Sequence, residues 1–319
     1  MLKLAEKIKA PIGHALGGKM YIQYENPFDV GMNGLLGYGA AHEATHEADL
    51  LILLGTDFPY NDFLPDANVA QVDINGSHIG RRTKISYPVT GDVAATIENI
   101  LPHVDEKKDR SFLDKMLKKH YGKLEHVVEA YTSNVDKHTP IHPEYVADLI
   151  DKNADEDAIF TVDTGMCNVW GARYITANGK REQIGSFRHG TMANALPQAL
   201  GAQAANPGRQ VITFSGDGGL SMLMGELLTV KLHNLPIKMF VFNNSSLGMV
   251  KLEMLVQGLP EHETDHESVN FAKIAEASGI KHFRIEDPKD APEQIKKALA
   301  YNGPALIDVV TDPNALSLP

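Results

Sequence analysis

Residues 211–244 read VITFSGDGGLSMLMGELLTVKLHNLPIKMFVFNN. The apolar run that ends at Ser215 predicts a buried strand, and the run Ile237–Asn243 predicts a second one. Residues 220–232 between them have the apolar spacing of a helix. A strand, a helix and a strand in this order predict a crossover with two parallel strands. The carboxyl ends of both strands then lie at one edge of the sheet, where open α/β sheets bind their ligands.

Both predicted strand ends carry side chains with oxygen atoms. Asp217 lies in the run Gly216–Gly219 after the first strand, and Asn244 follows the second. Mg²⁺ is held by a few protein oxygens, while phosphate oxygens and water complete its octahedron. Glycines let the backbone approach such a ligand closely. Each motif is common in ordinary turns, but together at two neighbouring strand ends they predict a Mg²⁺–diphosphate site.

Strands and helices alternate over most of the chain, which predicts an α/β fold with two doubly wound parallel-sheet domains. The predicted boundaries are 1–105 for the first domain, 106–140 for a charged, solvated helical linker and 141–319 for the second domain. Further predicted strands are Ala48–Thr56, Val69–Ile74, Ala158–Val162 and Ala305–Val310. Further predicted helices are an N-terminal one, one capped by Asp92, one that begins at Pro143 and one over Asn194–Ala205.

Composition excludes several classes of function. The formal net charge of −11 argues against a nucleic-acid-binding surface, which needs clustered Lys and Arg. The single cysteine, Cys167, cannot form an internal disulfide, which favours a reducing, cytoplasmic setting. No apolar run approaches the ~18 residues of a membrane span. With 319 residues and 43% hydrophobic content, the chain is long enough for about two globular domains.

The segment 216–244 resembles the thiamine-diphosphate signature, in which GDG is followed some two dozen residues later by NN. This resemblance implies that Mg²⁺ is bound by the side chains of Asp217 and Asn244 and by the carbonyl of Ser246. It further implies that Met192 wedges the cofactor into a bent form and that the Gly190 carbonyl accepts from its amino group. The implied cofactor-binding residues are Gly190, Thr191, Met192, Asp217, Gly218, Gly219, Asn244, Ser245, Ser246, Leu247 and Gly248.

Most of the chain is similar to the flavin-dependent pyruvate oxidase and pyruvate dehydrogenase (quinone) family. Segments that carry the similarity include 7–12, 29–34, 53–60, 185–192 and 214–225. In that family the first domain binds FAD, and Asp73 would meet the adenosine end, although a turn or cap role for Asp73 is the alternative. The implied FAD-binding residues are Met32, Asn33, Gly34, Leu35, Gly55, Thr56, Asp57, Phe58, Pro59 and Asp73.

Two positions bear on the branch of the family. Met249 resembles acetolactate synthases, whereas Glu253 resembles the oxidases; a carboxylate there can handle protons, although an exposed helix position is the alternative. The wider similarity favours oxidative decarboxylation of pyruvate with electrons passed to FAD and then to quinone or oxygen. The alternatives are an acetolactate synthase-type carboligase and a non-catalytic subunit that retains the fold. The implied catalytic residues are Glu253, Met249 and Val250.

The resemblance also implies parts that this sequence does not contain. Family members have an N-terminal pyrimidine-binding domain with a catalytic glutamate, and quinone-dependent members have a membrane-binding tail. We therefore expect a fragment that is inactive alone, from a protein that forms a homodimer or homotetramer and lies in the cytoplasm, with or without peripheral contact to the inner membrane.

Overall fold

A computed structural model describes residues 1–133, 135 and 138–316. The chain divides into two compact units, Met1–Val128 and Glu129–Leu318. Both contain parallel strands and helices, so the predicted α/β class is confirmed. The boundaries predicted at residues 105 and 140 stay a prediction.

The first unit contains two small sheets. In one, β1 and β2 are parallel while β2 and β3 are antiparallel; in the other, β4, β5 and β6 are parallel and adjacent in that order. The strands are β1 (Ile12–His14), β2 (Asp29–Met32), β3 (Tyr38–Gly39), β4 (Leu50–Leu54), β5 (Asn68–Asp73) and β6 (Tyr87–Thr90). The helices are α1 (Leu2–Ile8), α2 (Lys19–Ile22), α3 (Ala41–Glu47), α4 (Val93–Ile100) and α5 (Ser111–Thr132), of which α5 continues past the unit boundary.

The predicted strands of the first unit are confirmed as β4 and β5, and the predicted cap is confirmed because Asp92 accepts from the amide of Ala95 at 2.9 Å. The sheet of β1, β2 and β3 was not predicted. Its strands have two to four residues, too short for an alternating pattern to stand out.

Helix α5 corrects the prediction of a solvated linker. Its residues Leu113 and Met116 are fully buried, and Met116 packs against a cluster that includes Val30. The charged face of α5 is also bound to α3, because Lys115 and Lys119 both form ion pairs with Glu47. The charged composition hid two apolar side chains on one face of the helix, and these belong to the core of the first unit.

A buried titratable cluster joins β1, β2 and α5. Asp29 lies 3.9 Å from His14 Nε2 and 3.8 Å from His120 Nε2, and all three residues are less than 9% exposed. Burial raises the pKa of Asp29 to about 6 and lowers the pKa of His14 to about 4; it also lowers the pKa of His120. Between about pH 4 and about pH 6, Asp29 is protonated and His14 is neutral in the folded chain. In the unfolded chain the proton is on His14 and Asp29 is ionised.

The variants Asp29→Asn and His14→Gln should therefore change the pH dependence of stability in opposite directions. Without Asp29, the unfolded state binds the extra proton, so stability rises with pH between about 4 and 6.5 relative to the parent. Without His14, the folded state binds it, so stability falls between about 4 and 6. Each change should be on the order of 2 kcal/mol across the window. Hydrogen exchange of the β2 amides at several pH values measures it, and equal slopes in all three proteins would contradict the assignment.

The second unit is built on one parallel sheet. Its strands within the described residues lie in the order β11-β12-β10-β9-β7-β8. They are β7 (Ile159–Val162), β8 (Glu182–Gly185), β9 (Val211–Gly216), β10 (Lys238–Asn243), β11 (Lys281–Ile285) and β12 (Ala305–Val310). The helices are α6 (Pro143–Asn153), α7 (Met166–Tyr174), α8 (Ala195–Ala205), α9 (Asp217–Leu223), α10 (Glu226–Leu232), α11 (Gly248–Val256), α12 (Phe271–Ala277) and α13 (Ala291–Ala300).

Helices cover both faces of this sheet, as a doubly wound fold requires. On one face Met239 and Val241 of β10 share a core with α8, α10 and α12. The alternate residues point the other way, where Phe214 contacts both Phe160 and Phe242. All six residues of β10 are buried, which explains why the strand reads as a continuous apolar run.

The predicted strands of the second unit are confirmed within one or two residues at their ends. The helix predicted over 220–232 is instead two helices, α9 and α10, that are interrupted at Met224 and Gly225. Strands β8 and β11 were not predicted; both are only partly buried, so their polar residues mask the pattern.

Candidate functional site

The strand order of the second unit creates a crevice at one edge of the sheet. From β7 the chain passes to β8 on one side, whereas β9 and β10 lie on the other side. The direction of winding therefore changes between β7 and β9, which is the position where open α/β sheets bind ligands at their carboxyl ends. Asp163, Asp217 and Asn244 are the first residues after β7, β9 and β10, respectively.

A cavity of about 240 Å³ opens at this edge. All predicted site residues of the second unit line it except Thr191 and Ser245. The predicted residues that the fold brings together are Gly190, Met192, Asp217, Gly218, Gly219, Asn244, Ser246, Leu247, Gly248, Met249, Val250 and Glu253. The other lining residues are Pro143, Thr164, Gly165, Met166, Cys167, Trp170, Gly216, Phe242, Thr311, Asp312 and Ala315.

Asp217 is a buried carboxylate, only 2% exposed. Its Oδ1 accepts from the amide of Gly218 at 2.7 Å, and its Oδ2 accepts from the amide of Ser245 at 2.6 Å. Burial raises the pKa of Asp217 above its usual range, although these amide bonds oppose the rise. A carboxylate in this setting is costly to ionise, and a bound cation would offset that cost.

The loop after β10 turns Asn244 and Ser246 toward the same edge. Asn244 Oδ1 accepts from the amide of Ser246 at 3.1 Å, and Ser245 has a positive φ of 55°. The segment 264–266 holds this loop in place through two backbone hydrogen bonds. The amide of Leu247 donates to the carbonyl of Thr264 at 2.8 Å, and the amide of His266 donates to the carbonyl of Ser245 at 3.0 Å. A hard-oxygen donor set from two strand ends is therefore held in place.

The two glycines after Asp217 are required by close packing. A Cβ on Gly219 would lie 2.1 Å from Oδ2 of Asp163, and a Cβ on Gly218 would lie 2.8 Å from Cδ2 of Leu247. The Met192 side chain lies nearby, since its Cε would be 3.5 Å from that Gly218 Cβ. The backbone of 218–219 thus forms a cradle that any side chain would fill.

The residues present fit a magnesium ion with a diphosphate. Asp217 offers a carboxylate, Asn244 a carboxamide and the Ser246 backbone a carbonyl, which are the hard oxygens that Mg²⁺ takes when phosphate completes its shell. No group of three or more His, Cys, Asp or Glu that could hold a metal occurs among the described residues. A mixed set of this kind, with a single carboxylate, therefore suits an ion that shares its ligands with a bound phosphate.

The remaining predicted residues of the second unit lie on α11 and near α8. Met249 is partly buried, whereas Val250 and Glu253 are exposed at the rim of the cavity. Thr191 is exposed and its amide donates to Ser186 Oγ at 3.2 Å.

Sequence reasoning missed Asp163, which is 2% exposed. Its Oδ1 accepts from the amide and the side chain of Asn194, at 2.9 and 3.0 Å, and this ties the end of β7 to the segment that carries Met192. Burial raises the pKa of Asp163 to about 6, against the lowering effect of the amides that surround it. The run Asp163–Gly165 directly after a predicted strand was the signal that could have revealed it.

In the first unit the two predicted FAD-binding segments, 32–35 and 55–59, lie together. A Cβ on Gly34 would be 3.2 Å from the ring of Phe58, and the amide of Gly55 donates to the carbonyl of Val72 at 2.8 Å. Asp57 pairs with Arg81 at 2.8 Å and Arg82 at 3.2 Å.

Asp73 ends the strand next to Gly55, as predicted. Its Oδ1 accepts from the amide of Asn75 at 2.8 Å, and its Oδ2 lies 3.5 Å from His78 Nδ1. The carboxylate therefore serves the local turn, which was the alternative interpretation, and its role toward FAD stays a prediction.

None of the helices in the described part of the chain combines the length and the apolar character that crossing a membrane requires.

Comparison with protein families matches both units. Residues 1–100 match the central domain of thiamine pyrophosphate enzymes, and residues 163–309 match their C-terminal domain, which binds thiamine pyrophosphate, the same compound as thiamine diphosphate. The second match covers the cavity residues from Thr164 to Glu253.

Individual relatives agree with this assignment. YdaP of Bacillus subtilis, by its name a thiamine pyrophosphate-containing protein, is 33% identical over 97% of the chain and 54% of its own length. An acetolactate synthase of Mycobacterium bovis is 31% identical over 98% of the chain and 53% of its own length. The acetolactate synthase large subunit of Lactococcus lactis is 30% identical over 98% of the chain and 55% of its own length. The chain spans about half the length of these curated relatives, and it carries the central domain and the C-terminal cofactor-binding domain of the thiamine pyrophosphate enzymes.

Proposed function

We propose that this chain is the cofactor-binding part of a thiamine-diphosphate-dependent carboligase of the acetolactate synthase kind. Such an enzyme joins two molecules of pyruvate into one acetolactate with release of one CO₂. The juxtaposition of Asp217, Asn244 and Met192 in one cavity is the observation that carries the cofactor assignment. Several relatives are named acetolactate synthases, which favours the carboligase over the pyruvate oxidase that was our first interpretation.

In this proposal the chain holds the charged end of the cofactor. The side chains of Asp217 and Asn244, with the Ser246 carbonyl, would hold Mg²⁺, and the backbone of Gly218 and Gly219 would lie against the diphosphate. The amides that donate to Asp217 fix its carboxylate before the ion arrives, which lowers the cost of binding. When bound, thiamine diphosphate supplies a carbon nucleophile and an electron sink for 2-oxo acids.

The apolar rim would orient the reacting end of the cofactor. Met192 is partly buried beside Gly218, where a flexible thioether can act as the wedge that resemblance assigns to it. Gly190, with a positive φ of 63°, presents its backbone at the cavity wall. Met249 and Glu253 line the same cavity, one as an apolar wall and the other as a carboxylate for proton transfer.

Electron acceptors form no part of this proposal, because the carboligation transfers no electrons out of the site. Quinone and oxygen, which the oxidase interpretation required, gain no support from the relatives. FAD remains a prediction for the segments 32–35 and 55–59, and a homo-oligomer remains a prediction for the whole protein.

Product analysis tests the proposed function. The protein that contains this chain would be supplied with pyruvate, thiamine diphosphate and Mg²⁺, and both acetolactate and the reduction of an artificial electron acceptor would be measured. We expect acetolactate without acceptor reduction. Acceptor reduction without acetolactate would restore the oxidase, and the absence of both, together with no Mg²⁺-dependent cofactor binding, would favour a non-catalytic subunit.

A further inference from the structure

The turn that carries Met192 has a strained backbone. Residues 191–194 lie between Gly190, at the cavity wall, and helix α8. Ala193 in this turn has a φ of 62°, a left-handed conformation that residues with a side chain rarely adopt. Such a conformation persists only where surrounding contacts hold it. The position of the Met192 side chain therefore depends on the contacts that close the turn.

One carboxylate oxygen closes it. Oδ1 of Asp163 accepts from the amide of Asn194 at 2.9 Å and from its side-chain Nδ2 at 3.0 Å. The same Nδ2 donates to the carbonyl of Thr191 at 2.5 Å, so the Asn194 side chain joins both ends of the turn. The amide of Thr164 donates to this Oδ1 as well, at 3.2 Å. The two residues between Thr191 and Asn194 are thus enclosed in a turn that is anchored to the end of β7.

The other oxygen of Asp163 lies against the cradle 218–219. A Cβ on Gly219 would be 2.1 Å from Asp163 Oδ2 and 3.6 Å from the amide nitrogen of Ala193. The turn that carries Met192 therefore lies directly on the start of α9, and Asp163 contacts both. Asp163 lies behind the cavity wall and is not one of the residues that line the cavity. Any effect of this carboxylate on a ligand must therefore pass through these two segments.

We propose that Asp163 is a positioning residue for the ring end of the cofactor. It sets the turn that carries Met192 at a fixed place above the cradle, so that the cavity prefers thiamine diphosphate to inorganic diphosphate. A wall that is fixed before binding loses less conformational entropy when a ligand docks against it. This role rests on the proposed function, because it takes thiamine diphosphate to be the ligand.

The diphosphate end of the cofactor should be much less sensitive to Asp163. The side chain of Asp163 makes its hydrogen bonds to Thr164 and Asn194, and within the described residues none of them reaches the proposed ion ligands or the cradle. Inorganic diphosphate with Mg²⁺ therefore measures the phosphate end alone, whereas thiamine diphosphate measures both ends.

Calorimetry on the protein that contains this chain gives the affinities for these two probes in the presence of Mg²⁺. Their ratio is the readout, because partial unfolding of a variant lowers both affinities by the same factor. We expect the preference for thiamine diphosphate over inorganic diphosphate to fall by at least about tenfold in Asp163→Ala, since partners that orient metal ligands contribute about 10- to 100-fold. Asp163→Asn, which keeps an oxygen that accepts from Asn194, should retain most of the parent's preference.

Asp151→Ala is the matched control for a loss of stability. Asp151 accepts from the amide of Thr176 at 2.8 Å and from Arg181 Nη1 at 2.6 Å, and none of these residues lines the cavity. Its replacement should destabilise the second unit and leave the ratio of the two affinities at the parent value.

Asn194→Ala tests the same turn from its other side. It removes the side-chain bonds to Asp163 and Thr191 and keeps the backbone amide, so the ratio should fall in this variant too. The double variant with Asp163→Ala should lower the ratio by less than the product of the two single effects, because both act through one turn.

Equal ratios in the parent, Asp163→Ala and Asn194→Ala would overturn the inference, since Asp163 would then support only the fold. Mg²⁺-dependent binding of thiamine diphosphate, and with it the proposed function, would stand in that case. If the parent itself showed no Mg²⁺-dependent binding of thiamine diphosphate, both the proposed function and the role of Asp163 would fall.

Discussion

Replacing Asp217 by Asn is expected to weaken Mg²⁺-dependent binding of thiamine diphosphate by at least about 100-fold and to leave the fold intact. The carboxylate is the only negatively charged side chain among the proposed protein ligands, so the amide removes the charge with which the protein itself attracts the ion. It also removes a buried charge whose pKa burial raises, which offsets the loss of one amide hydrogen bond. The free energy of unfolding without ligand should change by no more than about 1 kcal/mol.

Calorimetry with and without Mg²⁺, alongside urea unfolding of the ligand-free chain, separates the two effects. Asp290→Asn is the matched control, because it removes the same charge at an exposed position of the second unit and should bind as the parent does. Retention of tight, Mg²⁺-dependent binding in Asp217→Asn would show that the ion is held elsewhere.

The second large effect is expected from Gly219→Ala, which should destabilise the second unit by about 1 to 3 kcal/mol. Alanine in a helix is favoured over glycine by about 1 kcal/mol, so the sign depends on whether the new methyl group fits. It does not fit, because its carbon would lie 2.1 Å from Oδ2 and 3.0 Å from Cγ of the buried Asp163. Either Asp163 or the start of α9 must move, and cofactor affinity should fall with stability.

The control is Gly225→Ala, where a Cβ meets nothing within 4 Å and stability should stay constant or rise. A double variant with Asp163→Ala tests the mechanism. Asp163→Ala alone is destabilising because it leaves the amide of Asn194 without its acceptor. If the clash is real, the double variant is less destabilised than the sum of the two single variants. Simple additivity in urea unfolding would disprove the contact.

The sequence was sufficient to predict features that depend on neighbouring residues. The crossover over 211–244 follows from apolar runs and a helical spacing. The carboxyl ends of β9 and β10 lie side by side, as is predicted for parallel strands. The same rule, applied to the end of the strand at Val162, would have added Asp163 to the site.

Other features depend on contacts that no local pattern records. His266 lies in a segment without periodicity, and only the pairing of 264–266 with the loop after β10 brings it to Asp217. The burial of Leu113 and Met116 likewise depends on which surface α5 meets. The sequence alone did not decide between oxidase and synthase, because Met249 and Glu253 point to different branches and both line one cavity. The relatives that are named acetolactate synthases favour the synthase.

The walls of the cavity come from the ends of strands that are far apart along the chain. Residues near Asp163, Asp217, Asn244 and Asp312 become neighbours only after β7, β9, β10 and β12 have paired. Such distant parallel pairings form slowly, and no shorter stretch of the chain can hold the ligand. Because the cofactor binds only the complete sheet, its binding stabilises the folded state. It therefore lowers the population of unfolded chains that proteases attack. We therefore expect this chain to be degraded faster when thiamine diphosphate is scarce than when it is abundant.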